Sequence, residues 1–178
     1  VAAGLTSEVE GEEMSVNYPG FHGGDRTDLT LPKPQQELLT ALHSLGKPIV
    51  LVLTGGGALA VDWAKQHIPA ILMAWYPGQA GGNALADILF GDVSPSGRLP
   101  VTFYSSTNIL PDFQDYSMQG RTYRYYAGEP LYPFGFWLSF SQFNYSAIHL
   151  DKTSLSSKGE AQVSLKVKNT GSVAATEI

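Results

Sequence analysis

Two kinds of hydrophobic pattern divide the chain. Between Leu31 and Gly91 apolar residues fall alternately into helical stripes and continuous runs, and beyond about Ser141 they alternate one by one with polar residues. The first helical segment is "LPKPQQELLTALHSLG". Pro32 and Pro34 stand at its entry, where a missing amide hydrogen does no harm. Leu38, Leu39, Leu42 and Leu45 predict one apolar stripe, and Gly46 a C-terminal cap. "KPIVLVLTGGG" follows, with five apolar residues from Ile49 to Leu53 and no alternation. Such a run predicts a strand buried on both faces, as in a parallel sheet between helices.

The pattern then repeats. "ALAVDWAKQH" predicts a short helix, "IPAILMAWYPG" a second buried strand, and "QAGGNALADILFG" a helix closed by Gly91. Helices alternating with strands, with glycine-rich turns after each strand, predict an α/β fold with a mostly parallel, doubly wound sheet. Ligands in such sheets gather at the carboxyl ends of the strands, here Thr54–Gly57 and Tyr76–Gly82. From Gly91 the character changes. "GDVSPSGRLPVTFY" and "GRTYRYYAGEPLYPFGFWLSF" carry turn dipeptides and many aromatic rings, and predict a long ordered excursion packed on the α/β layer. In the tail, "AQVSLKVKNTG" predicts a half-buried strand and a turn, the opening of an antiparallel β-sandwich. Residues 141–178 are too few to complete a sandwich of about 100 residues.

Composition narrows the functions. The chain has 178 residues, 43% of them hydrophobic, enough for one core or one and a half domains. A net charge of −5 supplies no basic surface, so nucleic acid is not an expected partner. No apolar run reaches transmembrane length, so no membrane partner is expected. With no cysteine, disulfides and thiolate zinc sites are excluded. Because the chain opens on Val1 and stops at "AATEI" within a strand pattern, it is expected to be a piece of a longer protein. A missing signal peptide then says nothing about export.

Several motifs compete for the chemistry. "GGGALA" fits the dinucleotide fingerprint, but the acidic residue expected about 20 positions on is missing, and tight turns beside the sheet are the favoured reading. His22, His43, His67 and His149 show no metal spacing, and no G-x-S-x-G elbow is present. Trp63, Trp75 and Trp137 could line a sugar site, but each alone is more often core. "TSEVEGEEM" is the odd stretch: Glu8, Glu10, Glu12 and Glu13 fall within six residues, in a chain with 16 acidic residues. A solvated turn would explain them. Yet the cluster comes directly after the apolar start "VAAGL", which places it at a strand's carboxyl end. A carboxyl group among like charges has its pKa raised, as a general acid requires.

Three stretches resemble glycoside hydrolase family 3, of the bacterial β-xylosidase and β-glucosidase kind: "GLTSEVEGEEM…GFHGGDRTDLTLP", "AWYPGQAGGNALADILFGDVSPSGRLPVTFY" and "GRTYRYYAGEPLYPFGFWLSF". The resemblance runs from Gly4 to about Tyr145, with one departure at "LSF" after Trp137, where the family usually has glycine. It implies a three-layer α/β sandwich over residues 1–140, lacking its N-terminal part, and a truncated fibronectin-III-like domain over 141–178. It also implies an N-terminal barrel domain of the same parent chain, carrying an aspartate nucleophile. In the family the acid/base glutamate sits six residues after a strand-ending glycine, and counting from Gly4 gives Glu10. Glu12, Glu8 and Glu13 compete, in that falling order. The remaining carboxylates would hold up its pKa or pair with Arg26, for which Asp28 is another partner.

The reaction that the resemblance implies is retaining removal of terminal β-linked xylose or glucose, from an oligosaccharide or an aryl glycoside, with no cofactor and no metal. The expected setting is secreted or periplasmic. Such a mechanism needs two carboxyl groups about 5–5.5 Å apart, so the chain alone is expected to be inactive. The alternative is a non-catalytic carbohydrate-binding or scaffold domain, since fold does not determine function. A nucleotide-binding domain is a third, weaker reading.

Overall fold

The computed structural model describes residues 1–10 and 14–178. The chain divides into two compact units, one of residues 1–85 and 98–136, the other of residues 86–97 and 137–178.

The first unit is built on a three-stranded parallel sheet. Strands β1 (Ala2–Gly4), β4 (Val50–Thr54) and β5 (Ala70–Trp75) lie in the order β1-β4-β5. Ala2 pairs with Val52 and Gly4 with Thr54, so all three strands point their carboxyl ends the same way. Between β1 and β4 run the short helix α1 (Ser7–Glu10), the small antiparallel pair β2 (Phe21–His22) and β3 (Asp25–Arg26), and the helix α2 (Lys33–His43). Helix α3 (Asp62–His67) links β4 to β5, and α4 (Gly81–Phe90) comes after β5. The α/β alternation is as the pattern predicts.

Burial in the sheet is less even than a continuous apolar run suggests. On β4, Leu51 and Leu53 are sealed, at 0% and 2% exposure, while Val50 stands exposed and Val52 half-buried. Side chains alternate across a strand, so one face of β4 meets the core and the other is only partly covered by this chain. The core joins Leu51 and Leu53 to Leu39, Leu59, Val61 and Ala64.

Helix α2 also differs from its expected stripe. Leu39 is buried and Leu42 packs against the core, but Leu38 is 52% exposed and Leu45 is 66% exposed. Leu38 sits about 100° around the helix from Leu39, and Leu45 lies past the last helical turn, so neither reaches the sheet. The helix ends before the expected cap, with Ser44 as C-cap, and Gly46 takes the left-handed turn beyond it, with φ +65 and its amide donating to the His43 carbonyl at 3.0 Å. Gly91 closes α4 in the same left-handed region, with φ +85.

The aromatic excursion packs on this layer in part. Phe103 bridges Tyr132 in antiparallel fashion, and Phe103 and Leu131 are buried. The Phe103 ring meets the edges of Trp75 and Tyr132, each at 6.3 Å between centroids. Lys65 donates to the Leu131 carbonyl at 2.7 Å, with its ammonium 5.0 Å from the Tyr132 ring. Tyr123, Tyr125 and Phe134 stay exposed, against the expectation that the whole segment is covered.

In the second unit, β6 (Phe143–Tyr145) pairs antiparallel with β9 (Val167–Asn169), and β7 (His149–Leu150) with β8 (Val163–Ser164). The hydroxyl of Ser94 accepts the Phe140 amide at 3.0 Å and bonds the Ser139 hydroxyl at the same distance. The expected half-buried face is open: Val163, Leu165 and Val167 are all exposed. Two-stranded ribbons bury little by themselves.

Candidate active site

Glycine and a side-chain amide bring the end of β1 into place. Gly4 has φ +137, and a Cβ there would lie 1.9 Å from the Thr54 carbonyl oxygen, so no other residue fits. Gln35 of α2 clamps the same residue through both its amide and its carbonyl: it accepts the Gly4 amide at 2.7 Å and donates to the Gly4 carbonyl at 2.8 Å. The Leu5 amide then donates to Thr54 at 2.9 Å, and the carbonyl of Thr6 accepts the amides of Val9 and Glu10 at 3.0 and 2.9 Å. These bonds wind α1 directly off the strand. Glu10 therefore stands at the carboxyl end of the sheet, where the pattern places it.

Its carboxylate reaches across to the turn after β4. The Gly56 amide donates to Oε1 at 3.0 Å and to Oε2 at 3.1 Å, and the Tyr76 hydroxyl donates to Oε2. Loss of surrounding water, first, and then the bond to Glu10 push the Tyr76 hydroxyl up to about 12. Glu10 is half-buried and Glu8 exposed; Glu12 and Glu13 lie outside the described residues.

Arg26 does not make the expected ion pair with Glu8, Glu10 or Asp28. Among the described residues no carboxylate oxygen lies within 4 Å of it, and the other expected partners, Glu12 and Glu13, lie outside those residues. Its Nη1 instead donates to the Ala58 carbonyl at 2.9 Å. Burial lowers its pKa, while the charges of Glu10 and Asp28 work the other way. Asp28 spends an oxygen on the Thr30 amide, 2.8 Å away, a local turn that draws it from the guanidinium.

Four of the remaining candidates, His43, His67, Trp63 and Trp75, are taken up by packing. Trp63 stacks on His67 with centroids 4.7 Å apart, and His43 meets both rings edge-on at 5.5 Å. Among the described residues no three His, Asp or Glu side chains could hold a metal ion together. Trp63 and Trp75 both pack against the core. At the "GGG" turn, the Gly56 amide, which a phosphate would need, is taken by Glu10. Gly56, Tyr76 and Gln35 escaped the reading of single motifs, although Gly56 and Tyr76 lie in the two strand-end stretches where ligands were expected.

Comparison with known proteins decides the family. The Glycosyl hydrolase family 3 C-terminal domain matches residues 1–140. This chain belongs to glycoside hydrolase family 3. The xylan 1,4-beta-xylosidase of Xylanibacter ruminicola is 52% identical over 140 residues, 79% of this family 3 chain and 16% of that protein. The periplasmic beta-glucosidase of Salmonella typhimurium is 39% identical over 181 aligned residues, 95% of this chain and 23% of its own length. Among solved structures, the beta-D-glucoside glucohydrolase of Trichoderma reesei superposes with a TM-score of 0.81 at 25% identity, over 97% of this chain and 27% of that one. The family 3 chain thus spans about a quarter or less of these relatives. None of its described helices is long and apolar enough to cross a membrane.

Proposed function

We propose that this chain is the acid/base-bearing part of a retaining, exo-acting glycoside hydrolase that removes terminal β-linked xylose or glucose. One observation carries the reading: Glu10 is wound onto the carboxyl end of a parallel sheet and held there by fixed donors. Family membership and relatives named as xylosidases and glucosidases support it. Glu10 protonates the departing oxygen in the first step and deprotonates water in the second. The aspartate nucleophile belongs to a barrel domain elsewhere in the parent chain, and residues 141–178 begin a fibronectin-III-like domain. The substrate is a β-linked oligosaccharide or an aryl glycoside. The name of the Salmonella relative supports a periplasmic or secreted setting.

The test is Glu10→Ala in the full-length parent. General acid–base help is worth about 10²–10⁴-fold, and natural disaccharides should lose that much, because their alkoxide leaving group needs a proton. Activated aryl glycosides should keep their first step and accumulate the glycosyl-enzyme, and azide should restore turnover. Equal slowing of both substrates with no azide rescue, and the selective pattern at Glu12→Ala or Glu8→Ala, would move the role to that residue. The second reading, a scaffold or carbohydrate-binding domain, draws on the same bonds. Both oxygens of Glu10 already have partners within the chain, as an anchor's would. Wild-type rates for all three alanine variants would favour it.

A further inference from the structure

We propose that Tyr76 is the positioning residue for Glu10: with the Gly56 amide it holds the carboxylate in one orientation and leaves Oε1 as the oxygen that exchanges the proton. The catalytic consequence rests on Glu10 being the acid/base; the positioning itself does not.

Three separate features converge on this contact. Oε2 accepts both the Tyr76 hydroxyl and the Gly56 amide, whereas Oε1 accepts only the amide. A proton shared with substrate is therefore best placed on Oε1, the less encumbered oxygen. Gly56 is a seat cut to measure. A Cβ there would lie 2.7 Å from Oε2 and 3.1 Å from Cε2 of the Tyr76 ring, so any side chain would wedge the pair apart. The backbone is also bent at this point. Leu53 pairs with Met73 but Thr54 pairs with Trp75, a bulge at the end of β4 and β5. Trp75 itself has φ +55, a left-handed conformation that is rare for a bulky residue. Bulges re-aim the residues beyond them, and such outliers persist where surrounding contacts hold them. The next residue is Tyr76. Its hydroxyl pKa of about 12 keeps it a donor at every pH at which a glycosidase is assayed.

The measurement is made on the full-length protein with Tyr76→Phe beside Glu10→Ala. Misplacing a catalytic group by about 1 Å can cost about 100-fold, so Tyr76→Phe should lower kcat on natural disaccharides by about 10- to 100-fold, with KM little changed. The first step on activated aryl glycosides should stay near wild type. Azide should not help, because the carboxylate is still present. The alkaline limb of the pH–rate profile should move to higher pH, since a carboxylate that loses a donor binds its proton more tightly. A purely structural tyrosine would not move that limb. If Tyr76→Phe matches wild type in rate and profile while Glu10→Ala shows its selective loss, the positioning inference falls and the acid/base reading stands. If Glu10→Ala shows no selectivity, the acid/base reading falls. A crystal structure of Tyr76→Phe then judges the inference alone: a carboxylate displaced from the Gly56 amide upholds it, and an unmoved one overturns it. Should Tyr76→Phe not fold, Gly56→Ala displaces the carboxylate from the other side and should give the same selective loss; wild-type behaviour there would overturn the proposal.

Discussion

Leu51 and Leu53 on β4 are sealed, while Val163, Leu165 and Val167, set at the same alternate spacing in the tail, stand open to water. Both stretches obey the period of a strand. The difference lies in what faces them. Leu51 and Leu53 meet α2, α3 and the turn after β4 through Leu39, Ala64 and Leu59, whereas β8 and β9 belong to two-stranded ribbons. Period reports which face a residue takes; only an opposing layer makes that face a core. The same contrast separates places where a single atom is fatal from places where a whole side chain is indifferent.

The largest effect is expected at Gly4. An alanine there must put its Cβ 1.9 Å from a backbone oxygen that cannot yield, at a φ that L-residues rarely adopt. Gly4→Ala should cost more than about 4 kcal/mol, the range reserved for severe local conflicts, and should expose β1 and α1 to hydrogen exchange together. Protection of Leu5 and Glu10 unchanged from wild type would show that the end of β1 is not held as described.

Leu51→Ala comes next, at about 2–5 kcal/mol for a buried leucine whose neighbours cannot collapse onto the space. Its counterpart is Val163→Ala, a removal of apolar atoms at 57% exposure, which should stay within about 0.5 kcal/mol. Chemical unfolding of the chain measures both. If the two variants shift the midpoint equally, the tail face is covered in solution and the contrast between the regions dissolves.

Much of the fold was legible in the residues, and the parts that were not share a common cause. The alternation of helices and strands, the glycine turns at Gly46 and Gly91, and the place of Glu10 after β1 all follow from local rules of period, glycine and turn. The exposure of Leu38 and the lack of an ion pair at Arg26 among the described residues do not, because both depend on which neighbour arrives from far along the chain. Asp28 was the nearest candidate in sequence for Arg26, but the Thr30 amide claims its oxygen. The seat of Glu10 is the clearest case: its donors come from residues 46 and 66 positions away, joined only because β1, β4 and β5 are neighbours in one sheet. Sheet order is a global outcome. No window of local sequence contains it.

The smallest effect tests that seat by pH. The Tyr76 hydroxyl titrates at about 12 in the folded chain, raised from an ordinary value of 10.0, first by lost solvation and then by its bond to Glu10. A raised folded pKa means that the folded state favours the neutral phenol. The stabilisation is fully present below the unfolded value and is lost as pH rises through the folded one. The window is therefore about pH 10 to 12, above any working range. Burial also raises the Tyr132 hydroxyl above its ordinary value. The informative quantity is thus the difference between wild type and Tyr76→Phe, in which the shared titrations cancel. Wild type should hold a small advantage that is flat up to about pH 10 and shrinks towards pH 12. Because Tyr76 is 44% exposed, water screens the contact and the advantage should be smaller than that of any core residue. A difference that stays constant across the window would mean that the hydroxyl and the Glu10 carboxylate do not meet in solution. The end of the sheet would then be as loosely held as the tail.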